Sequence, residues 1–117
     1  PGQDLNEELQ LFGQCVGLFG NRDRDKSAFR MFVELLKAAR IHDALSSDEL
    51  AERLMITRAT VVYHLNELME RGFVIQQRKR YLLRETRLQG LMEDIHRDTE
   101  AAFERLLEVA REIDARL

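Results

Sequence analysis

Residues 57–72 read TRATVVYHLNELMERG. Val61, Leu65 and Leu68 recur at spacings of four and three, the period of one apolar helix face. Thr57 is a hydroxyl N-cap residue and Gly72 supplies the stop, so the stretch is predicted to be one helix ending near Arg71. Its opposite face carries Ala59, Val62, Tyr63 and Asn66, with Thr60 at the edge. Base edges accept such small, hydroxyl and amide side chains near a helix N-terminus. Ala59, Thr60 and Val62 suit thymine methyls, and Tyr63 and Asn66 suit hydrogen bonds to bases or phosphates. Arg58, in the first turn, suits a guanine edge or a phosphate. His64 sits beside the core face and is placed near the groove, in a structural hydrogen bond or a phosphate contact. Yet Glu67 and Glu70 occupy the second half, so most of the charge that holds a polyanion must come from elsewhere.

The neighbouring sequence supplies it. Upstream, Ser46 and Glu49 have the spacing of a capping box, opening a short helix to Leu54 that buries Leu50 and Leu54. Met55-Ile56 is then the turn between two helices, and Leu50 and Leu54 are expected to pack on Val61, Leu65 and Leu68. Downstream, FVIQQ and RYLLR flank Arg78-Lys79 and predict a hairpin, short because no Asn-Gly or Asp-Gly marks its turn. Arg78, Lys79 and Arg80 at its tip are expected to lie on phosphates, with Arg84 one strand later. Helix, tight turn, helix and hairpin is the layout of a winged helix-turn-helix, a mainly α fold with a small β-hairpin.

The flanks are helical. Leu5, Leu9, Phe12, Val16 and Phe19 form a stripe over about Asp4 to Phe19, with Gly20-Asn21 as its stop. Gly13 and Gly17 lie beside that stripe, four apart, where they permit close helix–helix approach, as across a dimer, or let the helix fray or bend at Gly13. A second helix is predicted from about Asp25 to Arg40, with Phe29, Phe32, Val33 and Leu36 as core. From Thr86 onward Leu88, Met92, Ile95, Thr99, Ala102, Leu106, Val109 and Ile113 alternate spacings of four and three, the pattern of a helix that pairs with another. Three parts follow: residues 1–20 as an N-terminal helix at a dimer interface, 21–85 as a winged helix-turn-helix DNA-binding domain, and 86–117 as a C-terminal dimerisation helix.

SSDELAERLMITRATVVYHLNELMERGFV, followed by RKRYLLR, resembles winged-helix transcriptional regulators of the ArsR-like class, small archaeal members especially. The likeness covers about residues 46–84; the GbsR and MarR groups share the general plan, usually with a longer wing. The resemblance implies a homodimer joined through N- and C-terminal helices that binds a two-fold-related operator as a repressor. Metal-sensing relatives use a cysteine pair in the helix before the recognition helix, and SDELAERL has none. Others use Asp-x-His with later ligands in the last helix. Asp94 and His96 match the first half, but Leu107 and Ala110 fall where the second half would be. Glu93, His96 and Glu100 share a helix face; surface Glu and His are common on long helices, so neither a metal nor another cofactor is expected.

Composition narrows the rest. The chain of 117 residues has a net charge of −3, unevenly spread. Residues 47–84 hold seven bases against five acids, while residues 85–117 hold five against nine, a mildly basic centre with an acidic end. No catalytic triad, phosphate-binding glycine loop or paired carboxylate points to an enzyme. No apolar run of membrane length appears. Cys15 is the one cysteine, which fits a reducing cytoplasm. It is read as a small buried apolar residue, with a redox or intersubunit role as the alternative. The partners expected are double-stranded DNA and a second copy of the chain. A small-molecule effector near Gly13, Gly17 and the last helix stays open. The rival reading is a winged-helix protein–protein assembly module working through its last helix.

Overall fold

A computed structural model describes residues 4–19 and 26–117 of the chain. The Gly20-Asn21 stop and the Asp25 helix start lie outside the described residues. In order the elements are α1 (Leu5–Cys15), α2 (Ser27–Arg40), α3 (Ser47–Leu54), α4 (Arg58–Glu70), β1 (Val74–Gln77), β2 (Arg80–Leu83) and α5 (Leu88–Arg116). The mainly helical fold with a hairpin and a long last helix, expected from the sequence, is what the chain adopts. Among the described residues no helix is long and apolar enough to cross a membrane.

The core forms where α2, α3 and α4 meet. Met31, Phe32 and Leu35 of α2, Leu50 and Leu54 of α3, and Val61, Leu65 and Leu68 of α4 are buried together. The α2 face is wider than expected. Met31, Leu35, Ala38 and Ala39 are buried beside Phe29 and Phe32, whereas Val33 and Leu36 only border the core. Phe12 stacks on Phe32 at 5.7 Å between centroids, and Phe32 meets Phe73 edge-on at 6.0 Å. This aromatic row ties α1 and the start of the hairpin to α2.

β1 and β2 pair antiparallel, with Val74 opposite Leu83 and Gln77 opposite Arg80. Leu45 adds a third, single-residue rung through paired backbone hydrogen bonds with Tyr81 at 2.9 and 2.7 Å. The connector at residues 41–45 is thus anchored to the wing, and Leu45 is fully buried.

Each of the first four helices ends in the same way. After the last turn comes a residue with positive φ, and the following amide donates to the carbonyl five residues back. The positive-φ residues are Gly17, His42, Met55 and Gly72. α1 therefore closes at Gly17. Gly13 does not face outward. It is buried, and a Cβ there would lie 2.7 Å from Phe29 Cδ1 and 2.9 Å from Phe19 Cε2. It serves the packing of α1 against its own chain. Cys15, expected to be buried, is exposed because it lies on the side of α1 away from α2.

α5 is a 29-residue helix, about 43 Å long. Only its start joins the body: Leu91 is fully buried, and Leu88, Met92 and Ile95 pack against the core. Beyond Ile95 its apolar side leaves the body, with Asp98 still bonded to Arg84, so Phe103, Leu106, Val109 and Ile113 are each more than half exposed.

Candidate nucleic-acid interface

The helix-turn-helix is held by local bonds between neighbouring residues. The Ser46 hydroxyl accepts from the Glu49 amide at 3.1 Å, and the Glu49 carboxylate accepts from the Ser46 amide at 3.2 Å. The expected capping box is complete. The Ser46 amide and then its hydroxyl, aided by the Arg80 guanidinium, hold the Glu49 carboxyl below its ordinary range. Met55 makes the turn with φ 57°, and Thr57 caps α4 by accepting from the Thr60 amide at 3.1 Å.

Burying Val61, Leu65 and Leu68 on one side of α4 turns the other side outward. Arg58, Ala59, Val62, Tyr63 and Asn66 are exposed there. Thr60 is half-buried, and its hydroxyl lies 2.9 Å from that of Thr57, so it belongs partly to the cap. Arg58 Nε stands 3.6 Å from Asp48 Oδ1, both side chains largely exposed; such a pair is weak and easily exchanged. Glu67 and Glu70 are exposed farther along the helix.

Of the two roles read for His64, the structure shows the structural hydrogen bond. The residue is only 8% exposed, and its Nε2 lies 2.7 Å from Ser27 Oγ at the start of α2. The ring therefore ties α4 to α2 from the inner side of the helix. It follows Val61 by three residues and precedes Leu68 by four, so the apolar spacing already placed it on the inner face. Tyr63 leans edge-on against the same ring, with centroids 5.5 Å apart, which orients the phenol on the outer face.

The wing tip is a two-residue turn, Arg78-Lys79, with Arg78 at φ 60°. The side chains of both residues are exposed and make no ion pair among the described residues. Arg80 differs: its Nη1 donates to Ala44 O at 2.8 Å and to Glu49 Oε1 at 2.7 Å. Through it the base of the wing is fastened to the capping box of α3. Arg84 is also engaged away from the tip, with Nη1 2.6 Å from Asp98 Oδ2 and Nε 3.6 Å from Asp94 Oδ2. The Arg84 hydrogen bond lowers the Asp98 carboxyl below its usual range and raises the guanidinium above its own. Of the basic residues expected on phosphates, the geometry leaves Arg78 and Lys79 unopposed. These two long-range pairings had no signal in local spacing.

His96 and Glu100 form an exposed pair at 2.7 Å on α5. Among the described residues no group of three or more His, Cys, Asp or Glu side chains is placed to hold a metal ion.

No curated protein and no solved structure matches the chain. A family model does match, over residues 26–80, the stretch from the start of α2 to the first residue of β2. That stretch holds the helix-turn-helix and wing tip, while α1 and α5 lie outside it. The ArsR-like subtype is not what the match supports. The segment carrying the candidate interface is similar to the MarR family, a family of winged-helix, DNA-binding transcription regulators and not of enzymes.

Proposed function

We propose that the chain is a sequence-specific double-stranded DNA-binding regulator that works as a homodimeric repressor. One observation carries the reading. A doubly anchored helix, capped by Thr57 and locked by His64 to Ser27, presents Arg58, Val62, Tyr63 and Asn66 outward beside a wing tip with unopposed Arg78 and Lys79. In this reading the N-terminal half of α4 enters the major groove. Tyr63 and Asn66 bond base edges, Val62 and Ala59 meet thymine methyls, and Arg58 exchanges Asp48 for a guanine edge or phosphate. Arg78 and Lys79 lie on the adjacent backbone and set register without reading sequence. Glu67 and Glu70, in the C-terminal half, stay outside the groove.

The second copy is brought by α5, whose apolar side is uncovered beyond Ile95. α1 contributes less to that contact than its glycines suggested, because Gly13 is filled by its own chain. Selection of bound molecules from random duplex DNA tests the reading. An enriched inverted repeat is the expected result. If the folded dimer enriches nothing, the exposed side of α5 favours the rival reading, an assembly module.

A further inference from the structure

We infer that the free half of α5 pairs with the same helix of a second copy in antiparallel orientation, in one register centred between Leu107 and Glu108. The inference rests on the homodimer proposed above and adds its geometry. The argument begins with what flanks the apolar line Thr99, Ala102, Leu106, Val109 and Ile113. Asp98, Arg105 and Glu112 run along one side of that line, and Phe103 and Ala110 along the other. Phe103, Leu106, Val109 and Ile113 are all largely exposed, and Arg105 has no ion-pair partner among the described residues.

In a parallel pair each flank meets the opposite flank of its neighbour. Arg105 would then lie against Ala110 and Asp98 against Phe103, leaving charges beside apolar groups. Residues on the line would stack on themselves, so small Thr99 and Ala102 would form thin layers and Arg116 would meet its own copy. Reversal of one helix brings like flanks together, charged with charged and apolar with apolar.

Antiparallel registers differ by whole heptads, and charge selects among them. With Leu106 opposite Val109 of the partner subunit, Ala102 faces Ile113 of the partner subunit and Phe103 faces Ala110 of the partner subunit. In the last two of these pairs a large side chain meets a small one. Arg105 then faces Glu112 of the partner subunit, and the two-fold axis repeats the pair. Sliding one heptad toward the body sets Asp98 against Glu112 and Arg105 against itself. Sliding one heptad outward sets Glu112 against itself. A slide of two heptads inward restores opposite charges but needs Met92 and Ile95, which already pack on their own body. The chosen register uses only side chains beyond Ile95, from Thr99 to Arg116, a seam of about 26 Å. The two winged-helix bodies then stand at opposite ends of the seam.

Two measurements on the full chain test this. A spin label at position 93, in C15S/E93C protein, is expected to give a label pair about 40–45 Å apart, from the rise per residue over both arms. A parallel pair holds the same labels roughly 10–25 Å apart, close to one interhelical spacing plus the label arms. Charge reversal R105E is expected to weaken dimerisation about tenfold, since two attractive contacts become repulsive. R105E/E112R restores the pairs in reverse and is expected to recover dimerisation to within about threefold. Long distance with rescue supports the register. A dimer with a short distance, or a double variant weaker than R105E, overturns it and leaves the DNA-binding homodimer standing. A monomer that still selects a single half-site overturns both the register and the homodimer but not DNA recognition.

Discussion

Removing the two unopposed charges of the wing tip separates phosphate contact from base reading. The variant is R78N/K79A. Asparagine at position 78 tolerates the φ of 60° that the turn imposes, so the hairpin keeps its shape while the charge goes. Each phosphate neutralised contributes about 0.9 to the slope of log affinity against log salt. Two contacts per wing and two wings per dimer give about 3.6 units. Between about 50 and 200 mM salt the wild-type affinity should therefore fall roughly a hundredfold more than that of the variant. Fluorescence anisotropy on a selected site and on an unrelated duplex, over a salt series, reads the slope for both. The same flattening is expected on both duplexes, because in the proposed reading these side chains set register and not sequence. R80A is the internal contrast: its guanidinium is bonded to Ala44 and Glu49, so its loss should alter the slope little and lower stability instead. An unchanged slope in R78N/K79A, with a fall of about two units in R80A, would refute the partition of charge between tip and scaffold.

Four further outcomes are expected. G13A should be less stable by about 1–2 kcal/mol in urea denaturation, because overpacking against Phe29 and Phe19 exceeds the gain in helix propensity. M55G should be more stable by about 0.5–1 kcal/mol, since Met55 is 89% exposed and its φ of 57° suits glycine; an equal loss would show that the side chain holds the turn. H64A should lower the thermal midpoint through loss of the buried bond to Ser27, costing about 2 kcal/mol, yet leave base preference unaltered in a repeated selection. Glu49 and Asp98 have folded values below their ordinary ones, so each contributes stability that is full above the ordinary carboxylate range and lost as pH falls through the lowered folded values. Urea midpoints should accordingly drop more steeply with acid in the wild type than in D98N, and less so at high salt.

What was legible in the sequence was local. The capping box of Ser46 and Glu49, the Thr57 cap, the Gly72 stop and the inner stripe of α4 are short-range patterns, and each stands where spacing put it. Helix ends divided along a physical line. All four closures need one residue at positive φ, and only two of them use glycine. His42 and Met55 fill the others because the two carbonyls satisfied at each end offset a conformational cost of about 1–2 kcal/mol. Nothing in side-chain chemistry marks them. Arg80 with Glu49 and Arg84 with Asp98 lie 31 and 14 residues apart, so no periodicity links them and only the fold brings them together. On α5 the stripe was readable along its whole length, but not the point at Ile95 where it changes from the chain's own core to an uncovered surface.

The placement of cations is also what lets a chain of net charge −3 offer the face to DNA that is proposed for it. Many arginines are engaged in building the fold. Arg30 donates to the Leu54 carbonyl at the end of α3, and Arg71 holds the Val16 and Gly17 carbonyls where α1 stops while lying over the Phe73 ring. Arg80 and Arg84 close the two ends of β2 onto α3 and α5. Those bonds also neutralise an acid near the helix-turn-helix, because Glu49 is matched by Arg80. The surplus of acid lies largely on α5, whose free half extends about 30 Å beyond Ile95. With a screening length of about 8 Å in physiological salt, that field reaches the wing only weakly. On the proposed reading, a small local excess, Arg78 and Lys79 beside a helix face of neutral hydrogen-bonding groups, orients the domain on a duplex. On that reading, with so few phosphate contacts, discrimination between sequences falls to α4, so Tyr63 and Asn66 should outweigh the wing in setting base preference while the wing outweighs them in salt dependence.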